Sequence, residues 1–338
     1  MRKIRIAQIG INRHSHAPDV FDTLRELPEV YDLAGYAIVE DERTTCAEKI
    51  KKHYAGYPEL ALEDILADPT IEAVMVETDE IHLLKYAQMA ADAGKHIHME
   101  KPGSQDLAAF ERLVDTVRKN GTLLHLGYMY RYNPMVADVI RRAKAGEFGS
   151  IYSVEAHMSR FDKHTTREWF GTFRGGMMFY LGCHLVDLVM QMQGEPTEVI
   201  PFNTRTGIGG VTTEDLGFAV LRYPHGVSVV RAGGSEIRGG YRRQLVVCGT
   251  ERTVEVRPLE KAYHDTDRKY MFTTECVESF LDENGKESKE MKATDVFQRY
   301  EAMLLAFAAM VRGERENPNT PEYELALFRT ILRCCGIN

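Results

Sequence analysis

The sequence predicts an α/β protein in which a doubly wound parallel sheet is followed by an α+β domain with a mostly antiparallel sheet. Up to about residue 127, short apolar runs alternate with amphipathic helical segments, as in sheets whose parallel strands are joined by helices. From residue 151 onward, strand-like runs pair across short turns, as in antiparallel hairpins. A length of 338 residues suits two domains better than one. We therefore expect domains over residues 1–127 and 128–338.

Hydrophobic periodicity places the individual elements. In the first domain we expect strands at residues 4–10, 31–39, 71–77, 96–99 and 123–127, and helices at 17–27, 43–54, 62–67, 83–93 and 106–119. In the second domain we expect hairpins between strands 218–223 and 227–232 and between strands 245–248 and 253–256. One largely apolar helix over residues 175–192 interrupts this series of strands.

The turn after the first strand is typical of a dinucleotide-binding domain. Such turns carry the pattern G-x-G-x-x-G, and residues 10–16 keep only the first glycine, Gly10. Asn12 replaces the second glycine and Ser15 the third. Asparagine tolerates a positive φ and serine is small, so we expect the turn to form and the following helix N-terminus to hold phosphate.

The second strand ends in an acidic residue, Glu40. A carboxylate at this place binds the two ribose hydroxyls of NAD and repels the additional phosphate of NADP. Two nearby arginines, Arg13 and Arg43, leave the alternative that the site accommodates a 2′-phosphate. We therefore expect NAD in preference to NADP.

A lysine lies just after the fourth predicted strand. In the run 96–102 (HIHMEKP), Pro102 disfavours a helical conformation at Lys101. Lys101 therefore sits at the carboxyl end of a strand, where open α/β sheets bind ligands. Beside Glu100, its amine can transfer protons. A surface lysine is the ordinary alternative for such a residue in isolation.

Three polar residues share one face of the apolar helix in the second half. Tyr180, His184 and Asp187 lie at positions i, i+4 and i+7. A histidine beside a tyrosine and an aspartate can act as a general acid or base near neutral pH. The alternative is a helix packed into the core, with His184 bonded to the backbone or to Asp187.

Composition and charge exclude several classes of protein. The net charge is −8, acidic and basic residues are interspersed, and no basic block suggests a nucleic-acid partner. The six cysteines show no zinc spacing and are typical of reduced cytosolic thiols. The chain runs directly into a strand, without a signal peptide, and has no apolar run of membrane-spanning length. We expect a cytoplasmic protein that does not contact membranes.

A metal site is not expected, although the chain has 12 histidines. His14 and His16 flank the phosphate turn, and His96 and His98 lie on one face of a strand. Neither pair has a clear third ligand, which favours structural or solvent-facing roles for these side chains.

Three stretches of the chain match a known pattern in the same order. Residues 94–102 (GKHIHMEKP) are similar to an AGKH…EKP signature, residues 130–134 (YRYNP) to an RRF-x-P segment, and residues 175–187 to GG-x4-D-x-G-x-H-x2-D. Together they resemble the glucose–fructose oxidoreductase / inositol dehydrogenase (Gfo/Idh/MocA) family of NAD(P)-dependent oxidoreductases. The resemblance runs through nearly the whole chain, including the terminal helix over residues 322–335.

This resemblance implies a Rossmann domain followed by a domain with an open antiparallel sheet, whose exposed face makes contacts in a homodimer or homotetramer. It also implies hydride transfer between the nicotinamide and a sugar or polyol carbon. Lys101 matches the family's proton-transferring lysine, and His184 matches the histidine that works with it.

The chain departs from the family pattern at three places. Tyr180 stands where the family has Asp or Asn, and a phenol donates protons but is a poor base at neutral pH. The glycine turn is depleted, and the usual Thr-Pro-Asn after the third strand is Thr78-Asp79-Glu80. These departures bear on cofactor binding and on the chemistry rather than on the fold.

The predicted site residues fall into three groups. The catalytic candidates are Lys101, His184 and Tyr180. The cofactor-binding candidates are Gly10, Asn12, Arg13, Glu40, Thr78, His82, Glu100 and Lys101. The candidates for contact with substrate are Met129, Tyr130, Trp169, Tyr180 and His184; Trp169 is the only tryptophan, and its ring suits the C–H face of a sugar as well as a core position.

Taken together, these observations predict an oxidoreductase that transfers a hydride between NAD and a sugar, polyol or related carbohydrate derivative. Two alternatives remain open. One is a regulatory protein that senses a cofactor or sugar and turns over little substrate, and the other is a hydrolase or lyase that uses NAD in a transient oxidation.

Overall fold

The computed structural model describes residues 2–263 and 271–337 of the chain. The chain forms two compact units. The first comprises Met1–Tyr128 and Tyr300–Leu325, and the second comprises Met129–Arg299 and Ala326–Asn338. The first unit thus includes a segment from near the end of the chain.

A five-stranded sheet forms the centre of the first unit. Its strand order is β2-β1-β3-β4-β5 and every neighbouring pair is parallel, which confirms the predicted doubly wound sheet. The strands are β1 Ile4–Ile9, β2 Tyr31–Ala37, β3 Ala73–Val76, β4 His96–Met99 and β5 Leu124–Leu126. The helices are α1 Ala17–Glu26, α2 Glu42–Thr45, α3 Ala47–Lys49, α4 Leu62–Ala67, α5 Leu83–Asp92, α6 Leu107–Asn120 and α10 Glu301–Val311.

The local sequence explains where these helices begin and end. Asp106 caps α6 by accepting a hydrogen bond from the Ala109 N–H at 2.9 Å. Gly121 ends the same helix in the left-handed conformation, with φ of 65°. All four residues of β3 are buried, as expected for a strand covered on both faces.

The predicted helix over residues 43–54 is wrong as a single element. The segment consists of α2, α3 and a π-helical turn, Ile50–Tyr54. The turn places Tyr54 in the core, where its ring lies 4.3 Å from that of Phe21 and its hydroxyl accepts a hydrogen bond from Gln8. The change from α-helical to π-helical geometry thus accompanies the packing of Tyr54 in the core. The periodicity of the sequence does not reveal this change.

An eight-stranded sheet dominates the second unit. Its order is β15-β14-β11-β10-β6-β9-β8-β7, with β6 and β9 parallel and the other pairs antiparallel. The strands are β6 Ile151–Ser159, β7 Glu198–Pro201, β8 Leu216–Tyr223, β9 Gly226–Gly233, β10 Gln244–Gly249, β11 Arg252–Val256, β14 Glu275–Leu281 and β15 Glu287–Ala293. A smaller sheet contains β12 Lys261–Ala262, β13 Met271–Thr273 and β16 Phe297–Gln298. Both predicted hairpins are confirmed.

The helices that complete the fold are α7 Pro134–Lys144, α8 His164–Trp169, α9 Cys183–Gln193 and α11 Pro321–Cys334. The predicted helix over 175–192 begins with a π-helical turn, Met178–Gly182, before α9. Its glycine pair is required by packing: a Cβ on Gly175 would lie 2.5 Å from that of Cys335, and one on Gly176 would lie 2.2 Å from the Glu214 carbonyl oxygen. Within the described part of the chain, no helix combines the length and apolarity needed to cross a membrane.

Candidate active site

Lys101 lies at the carboxyl edge of the parallel sheet, two residues after β4. Its side chain is only 7% exposed, and its Nζ is 3.4 Å from Oε1 of Glu100. Removing an ammonium group from water is unfavourable unless a counter-charge accompanies it, and Glu100 supplies that charge. A buried lysine paired in this way is typical of a functional group rather than of a surface residue.

Two further carboxyl groups face this lysine, and both are completely buried. Burial raises the pKa of Glu80 to about 7, although the positive charge of Lys101 opposes the effect. Burial, followed by the charge of Glu100, raises the pKa of Glu77 well above its usual value. Sequence reasoning missed both residues; the available signal was their position within four residues of the end of β3, at the ligand-binding edge of the sheet.

The phosphate turn forms as predicted without its second and third glycines. Asn12 adopts a positive φ of 42°. Its side-chain Oδ1 accepts hydrogen bonds from the backbone N–H groups of His14 and Ser15, at 2.7 and 3.1 Å. Its own N–H donates to the buried Glu42, which also accepts from the Thr78 hydroxyl at 2.8 Å. Asparagine thus supplies both the backbone conformation and an internal acceptor.

Gly10 is needed for close packing within the turn. A Cβ at this position would lie 2.6 Å from the Cβ of Thr78, and the residue has φ of 86°. Thr78 therefore stands against the turn and helps to shape it.

The residues around the turn fit a dinucleotide. The N–H groups of His14 and Ser15, in the turn just before α1, are bonded to Asn12 Oδ1, and a phosphate oxygen offers the same kind of acceptor. Arg13 presents a guanidinium group that is 43% exposed and 3.9 Å from the Asp79 carboxylate. Cationic and N–H donors around a helix N-terminus are the donor set that a pyrophosphate requires.

Glu40 is ionised and held in position. Its carboxylate accepts hydrogen bonds from Lys85 Nζ at 2.6 Å and from the Tyr86 hydroxyl at 2.7 Å, and the Nδ1 atom of His82 is 3.8 Å away. The hydrogen bond from Lys85, followed by that from Tyr86, lowers the pKa of Glu40. The predicted ribose-binding acid is thus oriented by Lys85 and Tyr86, which sequence reasoning did not identify, and lies near the candidate His82.

In the second unit, His184 lies beside Tyr130. The two rings meet edge to face with their centroids 5.2 Å apart. The Tyr130 hydroxyl donates to Glu260 at 2.9 Å and accepts from Arg243 at 2.9 Å. Burial raises the pKa of Tyr130 to about 12, so the phenol stays neutral. Glu260 and Arg243 are more than 100 residues away in sequence, and no local pattern indicates them.

Tyr180 lies in an aromatic cluster instead. Its ring is 5.0 Å from Trp169 and 5.5 Å from Phe170, and the Arg160 guanidinium lies 5.9 Å from its centroid. Two of the predicted substrate candidates, Trp169 and Tyr180, therefore lie in contact with each other. Met129, the remaining substrate candidate, is buried in a 3₁₀ turn that also carries Tyr130.

Asp187 takes part in a different interaction. Arg131 donates to its two carboxylate oxygens at 2.9 and 2.8 Å, and both side chains are almost completely buried. Such a bidentate pair fixes α9 against the segment that precedes α7. The three residues expected on one helix face thus contact three different sets of neighbours.

Comparison with known proteins places the chain in the family that its motifs resemble. The sequence model for the oxidoreductase family with an NAD-binding Rossmann fold matches residues 4–128, and that for the Gfo/Idh/MocA C-terminal domain matches residues 136–255. The protein belongs to the Gfo/Idh/MocA family of oxidoreductases. It is an oxidoreductase with an NAD-binding Rossmann domain and a mixed, mostly antiparallel C-terminal sheet.

Individual relatives are distant. An uncharacterized oxidoreductase of Rhizobium meliloti is 24% identical, over 83% of this chain and 80% of the relative. The NADP(+)-dependent scyllo-inositol 2-dehydrogenase of Bacillus subtilis is 25% identical, over 72% of this chain and 67% of the relative. A solved levoglucosan dehydrogenase, in complex with NADH and levoglucosan, has a TM-score of 0.76 and 17% identity, covering 99% of this chain and 98% of that one.

Proposed function

We propose that this protein is an NAD-dependent dehydrogenase or reductase that acts on a CH–OH group of a sugar, polyol or related carbohydrate. The observation that carries the proposal is the buried Lys101, paired with Glu100 at the carboxyl edge of the parallel sheet. An ammonium or amine at that edge is suited to exchanging a proton with a substrate hydroxyl. The family assignment and the dehydrogenases among the relatives support the same reaction class.

The protein's part in this reaction is proton transfer. When bound, the nicotinamide ring would accept or return the hydride. Lys101 takes the hydroxyl proton when the substrate is oxidised and returns it when the carbonyl is reduced. His184 is proposed to act on the same hydroxyl, and Tyr180 is proposed to donate a hydrogen bond or a proton to the substrate. Each supplies a donor or acceptor of suitable chemistry.

The cofactor-binding residues are proposed to favour NAD over NADP. Glu40 is ionised and would accept hydrogen bonds from ribose hydroxyls, while repelling a 2′-phosphate. Relatives include enzymes named for either cofactor, so the preference rests on this carboxylate. Calorimetric titration tests it: NAD(H) should bind more tightly than NADP(H), and Glu40→Ala should narrow the difference. Equal or tighter binding of NADP(H) to the unmodified protein contradicts the proposal.

A sugar-like substrate is supported by the aromatic residues of the second unit. Trp169 and Tyr180 form an edge-to-face pair, and an aromatic face packs well on the C–H face of a sugar. Relatives are named for scyllo-inositol and D-xylose, and a structural neighbour for levoglucosan. Met129, Tyr130 and His184 would complete the contacts with substrate.

A survey of sugars, inositols and anhydrosugars, monitored at the absorbance of the reduced nicotinamide, tests the reaction class. We expect steady formation of NADH with at least one member of the panel. Cofactor binding without turnover of any compound would favour a sensing protein. Product formation without net NADH would favour a hydrolase or lyase that uses NAD transiently.

We also propose that the protein assembles as a homodimer or homotetramer through the outer face of the large sheet. One continuous row across that face is mostly apolar and at least partly exposed: Ile200, Val220, Val229, Glu155, Val246, Glu255, Val277 and Met291. The most exposed apolar side chain of this row is that of Met291, at 74%. An apolar strip of this kind is typical of a surface that pairs with another copy of the chain.

A further inference from the structure

Three titratable side chains form a buried row near Lys101. Glu77 follows β3, and His98 and His125 occupy paired positions on β4 and β5. Glu77 and His98 are completely buried and His125 is 1% exposed. The two histidine Nδ1 atoms are 2.7 Å apart, within hydrogen-bond distance, and His98 Nε2 lies 3.8 Å from Glu77 Oε1. The His125 ring stacks on Phe307. None of these three residues is one of the defining positions of the sequence motifs described above.

The surroundings of Glu77 favour its protonated form. Neither of its carboxyl oxygens has a hydrogen-bond donor within the described part of the chain. An ionised carboxylate without donors in a buried position is strongly disfavoured. Burial also lowers the pKa of His98 to about 3, so this neighbouring ring is neutral and provides no counter-charge. In the tautomer in which His98 Nδ1 donates to His125, Nε2 carries a free electron pair, and a protonated Glu77 can direct its proton toward it from 3.8 Å.

The charged and titratable groups that face Glu77 are Glu100, Lys101, Glu80, His98 and Tyr54. The carboxyl groups of Glu100 and Glu80 disfavour its ionisation, and the charge of Lys101 favours it. Burial raises the pKa of Tyr54, so this phenol adds no charge at neutral pH. Burial and the two neighbouring carboxyl groups together outweigh the single cation.

Gly127 lies between this row and the Glu100–Lys101 pair. A Cβ at Gly127 would lie 2.9 Å from Glu100 Oε2 and 3.5 Å from His98 Nε2. The Glu100 carboxylate and the His98 ring therefore border the same point on the backbone, and the other oxygen of Glu100 faces Lys101 Nζ at 3.4 Å. Glu77 thus neighbours His98, His98 and Glu100 both border Gly127, and Glu100 neighbours Lys101.

We propose that Glu77 is a positioning residue for Lys101: it remains protonated at neutral pH, so that Glu100 is the carboxylate in contact with the ammonium group and can take its proton. The inference rests on the proposed role of Lys101 in proton transfer. When the N–H bond of Lys101 breaks and an O–H bond forms at Glu100, an ion pair becomes two neutral groups, which burial favours. The free amine can then accept the proton of a substrate hydroxyl. An ionised Glu77 would hold Lys101 as an ammonium ion and oppose this step.

Infrared difference spectroscopy tests the protonation state without substrate or cofactor. The unmodified protein at pH 7 should show C=O stretches of protonated carboxylic acids that are sensitive to exchange into D₂O, and Glu77→Gln should remove the band of Glu77 while leaving that of the partly protonated Glu80. The matched control is Glu80→Gln, which removes a neighbouring buried carboxyl group and should retain the Glu77 band. A spectrum in which Glu77→Gln removes no such band overturns the proposal, whatever the activity of the enzyme.

The dependence of kcat/KM on pH tests the effect on Lys101. Because Gln cannot ionise, Glu77→Gln should move the alkaline limb of the profile to higher pH and give about tenfold more activity at its alkaline end than the unmodified enzyme. An alkaline limb that stays in place, or moves to lower pH, contradicts the proposal. If Glu77→Gln does not fold, Glu77→Met can replace it, because methionine has similar volume and no ionisable group. The same infrared result and the same shift of the alkaline limb are expected for it. Full activity of Lys101→Ala would defeat the proposed function but leave the infrared result standing, so the two failures are distinguishable.

Discussion

The carboxylate of Glu278 is predicted to be a major source of acid sensitivity in the second unit. It lies on β14, is 1% exposed, and accepts hydrogen bonds from Arg142 at 2.9 and 2.5 Å, from Lys292 at 3.1 Å and from Arg252. It thereby links α7 to β11 and β15. These hydrogen bonds, that of Arg142 first, lower the pKa of Glu278 from 4.5 to about 2.

The size of the effect follows from this pKa. Each pKa unit corresponds to about 1.4 kcal/mol, so the ionised form contributes about 3 kcal/mol to the free energy of unfolding. Because the pKa is lower in the folded protein than in the unfolded chain, this stabilisation is fully present above pH 4.5 and is lost as the pH falls toward about 2. Glu278→Gln should therefore be less stable by about 3 kcal/mol at pH 7, and the difference should vanish near pH 2.

Chemical denaturation at a series of pH values measures this difference. Glu275 lies on the same strand with an exposed side chain, and Glu275→Gln serves as the matched control with an expected change within about 0.5 kcal/mol. A difference between the unmodified protein and Glu278→Gln that is constant from pH 7 to pH 2 would refute the reasoning, because it would show that the charge of Glu278 contributes nothing specific.

Two further predictions concern the second unit. Tyr180→Phe keeps the ring between Trp169 and Phe170 but removes the hydroxyl. Turnover should therefore fall by about tenfold or more, with little change in melting temperature. Unchanged turnover would assign Tyr180 a packing role. Val246→Glu places a charge in the apolar row of the large sheet and should shift the protein toward monomer in light scattering, whereas the exposed Lys52→Asp should not. A monomeric unmodified protein at micromolar concentration would contradict the assembly proposal.

Local periodicity was sufficient to predict most of the fold. The buried run at β1 and the amphipathic helices α1, α4 and α6 are visible in the sequence because their burial repeats with the period of the element. The helix over residues 43–54 was not predictable as three short pieces, because its π-helical turn accompanies the packing of Tyr54 against Phe21. That contact joins residues 33 positions apart, beyond any local pattern.

The candidate site shows the same limit. Lys101 was identifiable because it ends a strand and precedes a proline, and Asn12 because it stands in a recognisable turn. The burial of Glu77 and Glu80, the bond from Arg131 to Asp187, and the contacts of Tyr130 with Glu260 depend on segments far apart in sequence. Which side chains contact each other across such distances can be known only from the tertiary structure. The type of a residue and its position at the end of a strand can be read from the sequence.

The role of Lys101 and its cooperation with His184 form the centre of the proposed mechanism. Lys101→Ala should lower kcat on the natural substrate by about two to four orders of magnitude, the usual weight of a general acid or base, while NAD binding by calorimetry changes little. His184→Ala should have a comparable effect.

The most direct test is therefore kcat for the two single variants and the double variant, measured together on the same substrate. If the two residues act as one unit, the double variant should lose clearly less than the product of the two single losses. Full activity of Lys101→Ala on that substrate would contradict the account of this protein as a lysine-centred dehydrogenase.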